Sequence, residues 1–366
     1  MNLKKLLGNQ KVHRTYIQEK FSFEWLSKYR NPLMGIQIIL IIFFHFTEDC
    51  MGADVHFSGI IYLFYKYIRS SGVDIFLLLS GLGLYYSWKR NPDCKKFYQK
   101  RFTRLLIPYF IVAAPAWIYW DIFVVEKGIL DVLSDISFVS FFTEGVKWFW
   151  YIIMAAICYL IFPYIFEIVD SGKDRIDRQL RIVMICFFSH IITMSLQIYD
   201  KGLYDNISVL LTRFPAFFVG VWLGKLAYER KTIPVWKVVM VVVLSIVLAW
   251  PLQMVEKPIL RVYSSGLLNL ALCLVVVFFL ERLLNFRKQS ITQGVKVSLD
   301  ILEWFGKYTI ELYLIHVMVR RFMKDMGLPL YYYMNEIKLI VISMVLALIL
   351  KKLTAVVNRV GCRKNM

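Results

Sequence analysis

From residue 33 onward the chain is a succession of long apolar runs, separated by short basic and polar stretches. A helix needs about 20 predominantly apolar residues to cross the hydrocarbon core of a bilayer. On that measure the pattern predicts about ten transmembrane helices, near 33–47, 72–88, 105–124, 148–169, 181–198, 207–226, 236–254, 262–282, 300–320 and 336–356. The first two are short. Segment 57–70 (FSGIIYLFYKYIRS) is apolar but carries Lys66 and Arg69, and it reads as an interfacial helix feeding the second span through Gly72. Connections are short throughout, and even the segment near 125–147 is too short to house a separate domain. The expected fold class is an all-α polytopic integral membrane protein. One membrane domain at 33–356 is flanked by a basic tail at 1–32 and a second tail at 357–366.

Composition strengthens that picture. Of 366 residues, 58% are hydrophobic and 19% charged, against roughly a quarter charged in a soluble domain. The net charge of +18 invites a nucleic-acid reading, but its placement argues otherwise. Most Lys and Arg fall in alternate connecting segments: the tail to Arg30, 87–104, 170–181, 225–237, 281–300 and the stretch after Leu350. That alternation is what the positive-inside rule produces, with both termini cytoplasmic. Basic clusters beside anionic headgroups need membrane lipids as partners and no nucleic acid. The six cysteines form no CxxC pair, so neither a disulfide framework nor a metal site is expected. About 30 polar, basic residues precede the first apolar run, which is unlike a cleavable signal peptide, so the first span is expected to act as an uncleaved insertion signal.

Ionisable residues inside a membrane are costly, and their depth follows from the expected topology. Arg30 falls at the cytoplasmic end of the first span and His45 at its outer end, separated by roughly 22 Å. Asp74 opens the second span near the level of His45. Arg213 lies one to two turns into the sixth span, while Glu311 and His316 lie in the outer half of the ninth. Arg101 and Arg104 sit at the cytoplasmic mouth of the third. An outer cluster of proton-handling groups and an inner cluster of arginines suited to a phosphorylated ligand therefore emerge. Each residue also has a plainer reading. His45 can cap a helix end, Arg101 and Arg104 can snorkel to headgroups, and Asp74 can form a structural buried pair with Arg213. His190, alone in the middle of its span, reads as a packing residue.

Five segments, taken in order, resemble the landmarks of the acyltransferase family 3 membrane O-acyltransferases. They are LMGIQIILIIFFH (33–45), GVDIFLLLSG (72–81), FYQKRFTRLLIPYF (97–110), WFWYIIMAAICYLIFP (148–163) and LEWFGKYTIELYLIH (302–316), with the weaker RFPAFFVG (213–220) among them. The family's usual arginine, eleven residues before the histidine, is here Met34, and Arg30 is the nearest substitute. Thr309 stands where a serine is common. The resemblance is to the stand-alone form, so no fused extracytoplasmic hydrolase-like domain such as some relatives carry is expected.

The resemblance implies transfer of an acyl group, most often acetyl, from cytoplasmic acyl-CoA to a hydroxyl of an extracytoplasmic or lipid-linked glycan. The setting it implies is the bacterial cytoplasmic membrane, with glycan-synthesis proteins as candidate partners. On this reading His45, Asp74, Arg213, Glu311 and His316 are catalytic candidates. Asp74 would orient the His45 imidazole, and Arg213 or Trp148 would stabilise the oxyanion. Arg30, Arg101, Arg104 and Tyr109 are candidates for holding acetyl-CoA, and Trp148 and Ser80 for holding the acceptor; no metal is implied. The competing functions are a transporter or flippase for a lipid-linked glycan or acyl group, and a non-catalytic membrane scaffold. Inverted repeats would favour the first, and tolerance to loss of His45 the second.

Overall fold

The computed structural model describes residues 20–363, apart from 63, 66–72, 173, 255–257 and 286–288. The interfacial segment expected at 57–70 falls partly outside these residues. Its described part is helical at 59–62 and 64–65, with Ile60, Ile61 and Phe64 exposed.

The chain enters through a short strand, β1 (Lys20–Ser22), that pairs antiparallel with β2 (Thr232–Pro234). This ribbon buries Phe21 completely and ties the N-terminal segment to the connection between two later helices. Then come α1 (Glu24–Lys28), α2 (Arg30–Gly52), α3 (Asp74–Arg90) and α4 (Cys94–Trp117), which continues as a π-helix over Ile118–Val124. Two short helices follow, α5 (Ile129–Ile136) and α6 (Val139–Thr143). The long helices α7 (Trp150–Asp170) and α8 (Arg175–Tyr199) precede the pair α9 (Lys201–Leu211) and α10 (Phe214–Tyr228). The remainder is α11 (Val235–Met254), α12 (Pro258–Leu284), α13 (Gln289–Lys307), α14 (Thr309–Asp325) and α15 (Tyr333–Arg363).

The fold is all-α and polytopic, and among the described residues 8 helices are long and apolar enough to cross a membrane. Two of the ten expected spans are not among them. The run at 72–88 becomes α3, only 17 residues from Asp74 to Arg90. The run at 300–320 is divided at Tyr308 between α13, which is amphipathic, and α14, which carries Glu311, His316, Arg320, Arg321 and Lys324. The span expected at 207–226 is also broken, because the helix stops at Thr212 and restarts after Arg213, with Pro215 in the first turn of α10. A proline there lacks only an N–H that a helix start leaves unused. The first long helix starts at Arg30 rather than residue 33, and the last continues through Arg363, so most of the expected tail at 357–366 is helical.

Glycines let certain helices approach backbone to backbone. A β-carbon on Gly220 would run into the backbone of Leu78, and one on Gly81 into the backbone of Phe217 and Val221, which fixes how closely α3 and α10 cross. In the same way Gly35 meets Leu302, and Gly306 meets Asn31, locking α13 against α2. In hydrocarbon there is little hydrophobic gain in bringing helices together, so close packing of this kind is a main source of cohesion. It fixes α3 against α10 and α2 against α13, and α2 and α3 carry the first candidate residues.

Candidate active site

Helix α2 joins two chemically distinct ends. Fifteen residues separate Arg30 from His45, roughly 22 Å of helical rise. At the far end, the half-buried His45 ring faces that of His316 on α14, with centroids 5.5 Å apart and planes tilted by 30°. His316 is 1% exposed, and neither of its ring nitrogens has a hydrogen-bond partner. His45 Nδ1 lies 3.4 Å from Glu48 Oε2, one turn further along the same helix. Arg320 locks the group together. It donates to Asp49 at 2.6 and 2.9 Å and to Glu48 at 2.9 Å, and its Nη2 lies 3.5 Å from the His45 carbonyl. Lys324 forms a further ion pair with Asp49. Donation from Nδ1 to Glu48 would leave the other nitrogen, Nε2, as an acceptor, the tautomer a general base requires.

Asp74 is placed differently from the sequence-based expectation. Its carboxylate takes a 2.7 Å hydrogen bond from Arg213 Nη1 and is approached by Ser265 Oγ at 3.0 Å and Asn269 Nδ2 at 3.5 Å. Asp74 is 2% exposed and Arg213 9%. The carboxylate beside His45 is therefore Glu48, and Asp74 belongs to a buried polar network joining α3, α10 and α12. Arg213 reaches that network from the turn between α9 and α10, and its guanidinium also lies over Trp150, 5.7 Å from the ring centroid. Glu311 is likewise drawn away from the histidines. It pairs with Lys351 of α15 at 2.7 Å and sits about 7.5 Å before His316 along α14.

At the opposite end, Arg30 turns toward α3, donating to the Leu79 carbonyl at 2.9 Å and lying over the bare backbone of Gly83. Arg101 and Arg104 of α4 are close enough to act on it electrostatically. Arg101 is half-buried, packs over Phe97, and has no hydrogen-bond partner for Nε. Three guanidinium groups thus converge, and no ion pair to a carboxylate forms at any of them among the described residues. Like charges repel, so such a cluster is stabilised by an anion. Arg30 occupies this cluster, while Met34 packs into the hydrophobic interior.

The other expected residues divide. Tyr109 lies about 12 Å beyond Arg101 along α4, with its hydroxyl donated to the Ile136 carbonyl at 2.8 Å and its ring stacked on Phe138. It pins α5 to the bundle and is not part of the arginine cluster. Trp148 stacks on Trp117 at 4.5 Å and lines two cavities. Ser80 is partly buried on α3, beside the close crossing at Gly81. Thr309 Oγ1 bonds the Gly306 carbonyl at 3.3 Å where α14 begins. His190 meets Tyr263 at 3.0 Å, in keeping with a packing role. Among the described residues no group of His, Cys, Asp and Glu is arranged to hold a metal ion. Sequence reasoning missed Glu48, Asp49 and Arg320. The only signal for the first two was the acidic pair closing the first span.

A polytopic helical membrane protein with a histidine pair at one end and an arginine cluster at the other has the layout of a membrane enzyme. The family model for an acyltransferase domain of the family 3 type matches residues 34–354, nearly the whole chain, and the chain belongs to that family. It is a multi-pass membrane acyltransferase. No curated protein and no solved structure matches it.

Proposed function

We propose that the protein transfers an acetyl group from cytoplasmic acetyl-CoA to a hydroxyl of an extracytoplasmic or lipid-linked glycan in a bacterial cytoplasmic membrane. The observation that carries this reading is the pairing of the two ends of α2: three arginines without carboxylate partners at one, and a histidine pair with an ordered carboxylate at the other. Arg30, Arg101 and Arg104 would hold the donor's phosphates by charge-assisted hydrogen bonds. An extended donor would span the roughly 22 Å between the two ends. His45 Nε2 would take the proton of the acceptor hydroxyl as its oxygen attacks the thioester carbonyl. The carbon–sulfur bond then breaks, the ester bond forms, and the proton passes from the imidazole to the departing thiolate. Glu48 would hold Nδ1–H and stabilise the transient imidazolium. His316, whose ring nitrogens have no hydrogen-bond partner, would donate to the oxyanion or relay the proton.

The donor half of this reading is tested by binding of acetyl-CoA to the purified protein. Wild type should bind it saturably. Arg101→Ala with Arg104→Ala should weaken binding by about tenfold or more, since each charge-assisted contact contributes about 1.5–3 kcal/mol. Equal affinity of the double variant and wild type would remove the arginine cluster from donor binding.

A further inference from the structure

Two basic connections that lie far apart in the sequence, 170–181 and 225–237, converge on one cleft of about 590 Å³. Helices α10 and α11 form its walls, and Leu270 and Leu274 of α12 close the back. The segment that joins α10 to α11, with Lys231 and Thr232, lies at one end, where the start of α8 adds Arg178.

Polarity changes along the cleft. Its lining on α10 runs from Val219 to Glu229, roughly 15 Å of helical rise. The charged side chains gather at the Glu229 end, with Lys237 in the first turn of α11 and Arg178 in the first turn of α8. The other end is apolar, floored by Val219, Trp222 and Leu223 against Val241. A charged mouth over a hydrocarbon slot matches the shape of a phospholipid.

The ion pairs at the mouth leave positive charge over. Lys225, 4% exposed, donates to the Val169 carbonyl at 3.3 Å, the Asp170 carbonyl at 2.9 Å and the Asp170 carboxylate at 3.1 Å. Glu229 lies 3.9 Å from Lys225 and 3.8 Å from Lys231. Arg178 and Lys237 are half-buried, and neither forms an ion pair among the described residues. Basic residues at the cytoplasmic end of a bundle need no ligand on their own account. These two crown an apolar slot, and like charges around one cleft are stabilised by an anion.

The mouth lies at the Arg30 end of the bundle, because Asp170 also takes Lys89, in the last turn of α3, at 2.9 Å. It is nevertheless separate from the arginine cluster. Helix α10 sets Gly220 and Gly224 against α3, and Trp222 and Leu226, which line the cleft, point about 200° away around the helix. The cleft is therefore across α10 from α3 and Arg30.

We propose that this cleft binds one anionic phospholipid. Its phosphodiester would lie between Arg178 and Lys237, its headgroup hydroxyls near Thr232, and an acyl chain along Leu226 and Trp222 toward Val219. Basic pockets between transmembrane helices hold anionic headgroups in this way. Helix α10 starts directly after Arg213, which holds Asp74, so the bound lipid would brace the helix that positions this pair. The site requires neither acyl donor nor acceptor.

The test is native mass spectrometry of the purified full chain in detergent, titrated with dioleoyl phosphatidylglycerol or with dioleoyl phosphatidylethanolamine, which has the same chains and no net charge. One phosphatidylglycerol should bind, about tenfold more tightly than phosphatidylethanolamine. Arg178→Gln with Lys237→Gln should lower phosphatidylglycerol binding about tenfold, to the level of the zwitterionic lipid, with a monodisperse chromatographic peak showing that the variant is folded. Lys95→Gln with Lys100→Gln, two exposed charges on α4, should keep the preference. Dihexanoyl phosphatidylglycerol should bind at least tenfold more weakly than the dioleoyl lipid, because it leaves the slot unfilled. Equal binding of the two dioleoyl lipids would overturn the proposal, as would a preference that survives the first double variant or is lost equally in the second. So would dihexanoyl lipid binding as tightly as dioleoyl, or displacement of the lipid by acetyl-CoA, which would give the cleft to the donor.

Discussion

Consider removing the Asp74 carboxylate. Asp74 and Arg213 are almost wholly buried and joined at 2.7 Å, with Ser265 and Asn269 on the second carboxylate oxygen. At an effective dielectric constant of 20, unit charges about 4 Å apart attract by about 4 kcal/mol. Removing one member of such a pair leaves the other buried and uncompensated, at a cost of about 3–5 kcal/mol. Unfolding entropy of about 2.1 cal/mol/K per residue over the chain converts that to a fall in Tm of about 4–6 °C. Asp74→Ala should therefore lower the melting temperature of the detergent-solubilised protein by about that amount. Asp74→Asn with Arg213→Met should recover most of it, because replacing a whole buried pair is often close to neutral. The assay is thermal unfolding followed by size-exclusion chromatography. A single variant melting with wild type, or a double variant no better than the single, would refute the structural role and return Asp74 to the catalytic group.

Other consequences follow from the same geometry. Gly220→Leu should abolish folded protein, since its side chain meets the Leu78 backbone; recovery of a normal monodisperse chromatographic peak would contradict the close crossing. Glu48→Gln should lower kcat about 10- to 100-fold with acetyl-CoA affinity unchanged, the cost of one charged hydrogen bond, read as a split between kcat and KM. Tyr109→Phe should leave acetyl-CoA binding unaltered and lower stability by about 1 kcal/mol, a fall in Tm of about 1 °C, because its hydroxyl holds the Ile136 carbonyl. Arg30→Met should weaken acetyl-CoA binding, whereas Met34→Leu should not, as measured by direct titration.

Which residues gather at one end of the bundle was legible from the sequence, and rotation about each helix axis was not. His45 and His316 were assigned to one level, and the structure brings their rings together. Arg30, Arg101 and Arg104 were grouped by topology, and they converge. Asp74 was also placed at the level of His45. It pairs instead with Arg213, 139 positions away, a contact that depends on the azimuth at which α3 meets α10 and α12. Glu311 illustrates the same limit, since its partner Lys351 lies on a helix whose facing direction no periodicity specified. The breaks at Arg213 and Tyr308 were hidden because hydropathy averages over a window and does not register one residue leaving the helical conformation. Glu48 and Arg320 resembled interfacial charges, which is where span ends usually carry them.

The central claim is that His45 activates an acceptor hydroxyl for acyl transfer, and it is tested most directly in a strain deleted for this chain. O-linked acyl groups on the envelope glycans are measured after restoring either wild type or His45→Ala at matched membrane abundance. The account predicts that the deletion loses O-acyl groups, that wild type restores them, and that the histidine variant does not. Restoration by His45→Ala, or unchanged O-acylation in the deletion strain, would contradict it.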